Sequence, residues 1–412
     1  MSTLLPPAAL RQRAFTIVEL LAATAVFIGM MLMLVTATNQ TSELWRRSAS
    51  KIEQFQQARR GFESMTRRIS QATLNTYWDY HYPVNAAGKP DRSQVPDGYM
   101  RQSELRFRSG KAQQLMAGID DLNRPTHAVF FQAPLGFVDD DVTLRANKPE
   151  QSHKPLNNLL NTWGYFLEVD DDLGLVPEFL RKTIPPRTRS RLMELMETSE
   201  TVKIDDPTSE PVSLTDPSKP VYPKDSNWDN PKYLGWFVNP IKRPAPNRPV
   251  RVLAENVLAL VILPRLTPQD EAARAKLKPP KTDLLSPLYD YDSKRLSNTA
   301  QGIANPTLKA KDPDLNPKNQ LPPVVTVAMV AIDETSARRL ASISNGDPTL
   351  GLDLRTIFNE ANKMDDDPKT VAPGDGDLAN LEAQLISKKL NYRIFVSNIA
   401  IRGAKWSRWT EN

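Results

Sequence analysis

Arg13-Ala14-Phe15-Thr16-Ile17-Val18-Glu19-Leu20-Leu21 opens an apolar run that continues to about Val35. A membrane helix needs roughly 20 mostly apolar residues, and this run supplies them. A carboxylate within such a helix is costly, on the order of 2.5–3.5 kcal/mol on insertion scales for an Asp at the centre, so Glu19 is expected to have a task. Arg11 and Arg13 precede the run in a short leader. The competing reading is an ordinary secretory signal peptide cut after Ala37. Such signals have an apolar core of about 7–15 residues and no use for a glutamate, so the longer run here argues against it.

The order of these residues, Phe-Thr-Ile-Val-Glu-Leu-Leu behind a basic leader, resembles the type IV prepilin signal shared by pilins and the pseudopilins of type II secretion. The resemblance implies a membrane-embedded prepilin peptidase that cuts between Ala14 and Phe15 and methylates the new amine of Phe15. Glu19 then stands fifth from the new end, where the family uses a glutamate to dock subunits into a helical filament. Ala14 departs from the family, which usually has Gly before the cut. Further along, Leu253-Ala254-Glu255-Asn256-Val257 and Leu321-Pro322-Pro323-Val324-Val325-Thr326-Val327 look like stretches of minor pilins and J-type pseudopilins. Ser286-Pro287-Leu288-Tyr289-Asp290-Tyr291-Asp292-Ser293 and Tyr392-Arg393-Ile394-Phe395-Val396-Ser397-Asn398, taken with the N-terminus, resemble the Verru_Chthon cassette protein C family of pilin-like proteins. That family implies a filament-associated role.

At 412 residues the chain has room for one large domain or two modest ones, and only its N-terminal stretch is long and apolar enough to span a membrane. Cysteine is absent, which excludes disulfides, thiol nucleophiles and thiolate metal sites. The formal charge of +5 falls to +3 without Arg11 and Arg13, too mild to argue for nucleic acid. Arg46, Arg47 and Lys51 follow the span as the two arginines precede it, so charge does not settle orientation.

After the span, Leu44, Ile52, Phe55, Phe62, Met65, Ile69 and Ala72 recur at mostly three-, four- and seven-residue spacing, a helical stripe flanked by arginines. No proline occurs between Phe15 and Tyr82, and the spacing predicts helix to about Thr76. Strands are expected at Glu104–Arg108, Ala128–Gln132, Trp163–Val169, Val252–Leu263, Val324–Ile332 and Tyr392–Arg402. Helices are expected from Asp333, as N-cap, to about Ile343, and from Asp377 to about Leu390, with Leu378, Leu381 and Leu385 on one face. Thr198–Pro249 and Pro264–Pro323 are rich in proline and read as loops, with Ser297–Gln320 expected to be partly disordered. The expected fold class is α+β: a long N-terminal transmembrane-plus-stem helix packed on an antiparallel β-sheet head with long Pro-rich loops. Its parts are a leader (1–14), a transmembrane helix (15–36), an amphipathic stem helix (37–80) and a periplasmic head (81–412).

Catalytic motifs are missing: there is no phosphate loop, no Gly-x-Ser-x-Gly elbow and no His-Glu-x-x-His pair. His81, His127 and His153 are scattered. Asp139–Asp141, Asp170–Asp172 and Asp365–Asp367, the last followed by Asp375-Gly376-Asp377, match no defined calcium loop and read as solvated turns. Arg402-Gly403-Ala404-Lys405-Trp406-Ser407-Arg408-Trp409 interleaves bases and tryptophans, as a single-strand binder would, but reads more simply as an edge strand with Trp406 packed. The expectation is a non-enzymatic minor pilin or pseudopilin of the inner membrane, single-pass, with its C-terminal domain in the periplasm or on an extracellular filament. No catalytic residue, cofactor or metal is expected, nor nucleic acid. Expected partners are sibling prepilin-like proteins and the prepilin peptidase. The alternative is a pilus-borne surface-binding module for DNA or another ligand.

Overall fold

The computed structural model describes residues 16–83, 85, 91–116, 119, 124–138, 159–171, 177–180, 183, 187–199, 201, 234–244, 247–305, 311–344, 350–352, 354–364 and 376–406. The chain divides into two units, residues 1–54 and 55–412. Helix α1 runs from Ile17 to Ile69. Within it, Ile17–Glu43 is long and apolar enough to cross a membrane, with mean hydropathy 2.3. None of the most apolar window of that span is buried. Apolar surface of this extent is unfavourable in water, and its length and composition fit a bilayer.

The second unit is built from antiparallel sheets. The largest has six strands, in the order β7 (Val250–Glu255), β6 (Thr188–Glu197), β5 (Leu160–Asp171), β4 (His127–Pro134), β3 (Arg108–Lys111) and β9 (Tyr291–Asp292). A three-stranded sheet has the order β11 (Tyr392–Ala400), β10 (Val324–Ile332), β8 (Val257–Arg265). Strands β1 (Tyr77–His81) and β2 (Gly98–Gln102) form a separate hairpin. The α+β class therefore holds.

One core is shared by the two larger sheets and the end of α1. Ala58, Phe62, Met65 and Ile69 pack there with Val129 and Phe131 of β4, Trp163 and Tyr165 of β5, and Leu260, Ile262, Val327 and Met329 of β8 and β10. Burying a large apolar side chain contributes about 1.5–3 kcal/mol, so the three large stem residues matter. Leu44 and Ile52 of the expected stripe lie outside the described side chains, whereas Phe62 to Ala72 are buried as the spacing predicts. The opposite faces of β8 and β10 are covered by α6 (Glu334–Ser344) and α7 (Asp377–Ser387) through Leu340, Leu381 and Leu385. Burial on both faces explains the unbroken apolar sequences of these strands. The six-stranded sheet has its own second cover, α2 (Ala112–Leu115) and α3 (Gly235–Lys242), packed on Phe130, Phe166 and Leu195. Two further short helices, α4 (Pro268–Ala275) and α5 (Ala300–Ala304), are capped by Thr267 and Thr299. Asp333 caps α6 as expected, accepting the Ser336 N–H at 2.8 Å.

Several expectations need correction. Helix α1 stops at Ile69, and Tyr77–His81 is a strand. Tertiary hydrogen bonds end the helix: the Ser70 carbonyl accepts the Arg402 N–H at 2.9 Å, and the Thr73 N–H reaches the Gln132 carbonyl at 2.9 Å. The strand expected at Glu104–Arg108 begins only at Arg108. Val252–Leu263 is two strands, broken at Asn256, whose φ of 58° turns the chain from the six-stranded sheet into the three-stranded one. Asparagine tolerates that left-handed conformation better than most residues. The Pro-rich stretches hold α3, α4 and α5 as well as loops. The described part of Ser297–Gln320 is ordered, with Ser297, Asn298, Leu315 and Asn319 buried. Arg402–Trp406 is not a strand. Trp406 does pack on the core, and its Nε1–H donates to the Asp314 carbonyl at 3.1 Å.

Gly164 faces Phe130 across β4 and β5, and a Cβ there would clash with Phe130 Cδ1. Phe130 has little room to yield, because its ring stacks on Phe237 at 3.9 Å. Gly164→Ala should therefore destabilise the protein by about 1–3 kcal/mol through overpacking. The urea unfolding midpoint should fall accordingly, and an unchanged midpoint would show that the aromatic stack moves freely.

Candidate functional site

Glu19 sits in the first turn of α1. The Thr16 N–H donates to Glu19 Oε2 at 3.0 Å, and the Thr16 hydroxyl donates to the same oxygen at 3.0 Å. In return the Glu19 N–H donates to Thr16 Oγ1 at 3.3 Å. This is a reciprocal capping box, in which a hydroxyl at the N-cap and a carboxylate three residues later each satisfy a backbone N–H that the helix leaves unpaired. The Thr-x-x-Glu spacing announces it in the sequence. The box holds the carboxylate against Thr16 at the N-terminal end of α1 and does not supply a cation. Among the described residues no ion pair reaches Glu19. Ala14 and Phe15 lie outside the described residues.

The head contains other perturbed titratable groups, and these have structural partners. Arg106 donates to Asp292 through Nε at 2.9 Å, Arg295 Nη1 reaches Asp290 at 2.7 Å, and Arg108 contacts both carboxylates. All five side chains are buried. Burial pushes Asp292 up, but Arg106 above all, then Arg108 and Arg295, hold it well below the usual carboxylate range. The cluster ties β3 to the segment around β9, at the centre of one Pro-rich stretch, and so acts as a clasp. Removing one partner of such a cluster typically costs about 3–5 kcal/mol, because a buried charge is left uncompensated. Burial likewise raises Glu334, yet hydrogen bonds from Arg189, Asn256 and Arg338 bring it down to about 2. These bonds join β6, the Asn256 turn and α6.

The remaining sequence candidates do not assemble into a site. His81 lies on the exposed hairpin against Asp97, His127 is buried, and His153 lies outside the described residues. Asp139–Asp141, Asp172, Asp365–Asp367 and Asp375 also lie outside them, and so do Ser407, Arg408 and Trp409. Among the described residues no group of three or more His, Asp or Glu is placed to hold a metal ion. The aromatic run Tyr77-Trp78-Asp79-Tyr80-His81-Tyr82, not among the expected strands, forms β1 and its exit. Its aromatic content is the strand signal that would have found it. Comparison with known protein families, with characterised proteins and with solved structures finds no match.

His127 supplies a measurable consequence of this chemistry. Its Nδ1 accepts the Ile262 N–H at 3.2 Å and its Nε2–H donates to the Phe358 carbonyl at 3.2 Å, so both nitrogens serve the neutral ring. Burial, with Lys111 nearby, lowers its pKa from 6.5 to about 3, against a smaller opposing effect of the Phe358 bond. The unfolded chain therefore takes up a proton below pH 6.5 that the folded chain refuses until about pH 3, and stability falls as pH drops through that window. Between pH 6.5 and 5, where few carboxylates titrate, urea unfolding should lose up to about 1.4 kcal/mol per pH unit to this group. His127→Gln should be less stable but flatter over the same interval. An equal slope in both proteins would contradict the assignment.

Proposed function

We propose that this protein is a non-enzymatic minor pilin-like or pseudopilin-like subunit, anchored once in the inner membrane and assembled with sibling prepilin-like proteins. The observation that carries the reading is the position of Glu19, held by Thr16 at the very head of an uncovered apolar helix. A carboxylate in that setting is poorly solvated, and a charge taken from water needs a partner. Cleavage after Ala14 would create one, the methylated amine of Phe15, on the same chain or on a neighbour. Pairing between neighbours favours one axial offset and so drives ordered assembly. The periplasmic placement of the head follows from the same reading.

Two experiments test it. N-terminal mass analysis of the membrane-extracted protein should show a start at methylated Phe15, and a start at Thr38 or an uncut Met1 would overturn the prepilin reading. The second separates charge from capping. Glutamine can occupy the third position of a capping box but carries no charge, whereas leucine removes both functions. Glu19→Gln and Glu19→Leu should reduce co-purification with sibling prepilin-like proteins equally, with the head folded in each. Wild-type association by both variants would remove any assembly role for Glu19. Loss in Glu19→Leu alone would assign the role to the helix cap.

A further inference from the structure

The β1–β2 hairpin exposes aromatic side chains that a folded head would ordinarily bury. Trp78, Tyr80 and Tyr99 are 53%, 51% and 58% exposed. The register pairs Trp78 with Arg101 and Tyr80 with Tyr99, so these four side chains share one face of the hairpin. The Arg101 guanidinium lies 5.3 Å from the Trp78 ring centre, Tyr80 and Tyr99 are 5.3 Å apart, and Tyr82 continues the row 6.4 Å from Tyr80. Isolated exposed apolar residues are ordinary, but a contiguous row marks an interaction surface.

Arg101 also lines a cavity of about 260 Å³ where the C-terminal segment meets the turn after α1. The cavity is lined by Asn75, Asn319 and Gln320, the last two with side-chain amides that donate to the Arg101 and Asn316 carbonyls, and its charged lining residues, Arg101 and Lys405, are both cations. An aromatic row that runs into a polar, cationic cavity suits an extended ligand made of rings, with hydroxyl groups and an occasional acid. Pyranose rings present an apolar C–H face, which carries partial positive charge and lies well against the negative face of Trp or Tyr. The exposed Asn75 amide suits a sugar hydroxyl, and the two cations suit a carboxylate or sulfate. Nucleic acid fits less well. It requires a basic groove along its whole backbone, whereas this hairpin and its flanks carry Asp79, Asp91, Asp97 and Glu104.

We propose that this face and cavity form a binding site for a sparsely charged acidic polysaccharide, one acidic sugar seated between Arg101 and Lys405 and neighbouring rings stacked on Trp78, Tyr80 and Tyr99. The site gives specific chemistry to the surface-binding alternative and stands whether or not the chain joins a filament. Calorimetric titration of the full-length protein in detergent micelles tests it, with three probes. These are a polymer of alternating glucuronate and N-acetylglucosamine, neutral dextran, and a single-stranded oligothymidylate. The glucuronate polymer should bind, more weakly as salt rises, and better than either other probe. Trp78→Ala and Lys405→Ala, both at exposed side chains and expected to leave the thermal melt unchanged, should each weaken binding about tenfold. Tighter binding of the oligothymidylate would overturn the proposal in favour of nucleic acid. Equal binding of dextran, no binding of the glucuronate polymer, or wild-type affinity in both variants would also overturn it.

Discussion

The head depends on how α1 is fixed to the six-stranded sheet, and a buried carboxylate does much of the fixing. Glu194 of β6 is wholly buried, and its oxygens are met by Arg68 of α1 at 2.8 Å and by Arg251 of β7 at 3.0 Å. Arg68 also lies over the Trp163 ring at 4.4 Å. The hydrophobic stripe alone would tolerate sliding, since apolar contact is non-directional. A buried carboxylate left without its cation is far less tolerant. Charge therefore sets the register, and Phe62, Met65 and Ile69 supply the adhesion. Gly61 allows the approach, because a Cβ there would already lie 3.2 Å from Ala254 Cβ on β7.

That docking makes the rest of the topology intelligible. With α1 on one face of each large sheet, the opposite faces need covers of their own, and α6 with α7, and α2 with α3, provide them. The chain moves between sheets at Asn256, and the same residue joins the Arg189–Glu334 ion pair by donating to Glu334 at 3.1 Å. A single turn thus connects both sheets and the start of α6.

The legible parts of the fold were those whose local and tertiary preferences agree. Val324–Ile332, buried on both faces, and Leu381 and Leu385 at helical spacing read correctly for that reason. Strand β6 shows the opposite case. Thr188–Glu197 contains Arg-Leu-Met-Glu-Leu-Met-Glu, residues with good helix propensity, and it pairs as a strand because β5 and β7 flank it. The Pro-rich stretches misled in another way. Proline breaks up regular elements without preventing burial or short helices, as Pro268 at the start of α4 shows, and the Arg106–Asp292 cluster that orders one of these stretches joins residues 186 positions apart in sequence. At the candidate site, the Thr16–Glu19 box was readable from spacing. The pairing of Trp78 with Arg101 was not, because it depends on the register of a hairpin whose turn is long.

The same physics distinguishes Glu19 from the acidic residues of the head. Glu194, Asp290 and Asp292 are buried, and each is met by arginines that this chain itself brings from distant positions. Their charges are compensated once folding is complete, so they need nothing from outside, and removing a partner would leave a buried charge unpaired. Glu19 receives only a hydroxyl and a backbone N–H from Thr16, which orient it without neutralising it. Hydrogen bonds to a carboxylate offset part of its desolvation, but if α1 inserts into a bilayer the remaining charge still favours a cation. Folding of this chain leaves that need unmet among the described residues. On the proposed pilin-like reading, a group whose electrostatic demand survives folding is where assembly would act, and the capping box holds it at the N-terminal end of the helix, where cleavage would create an amine.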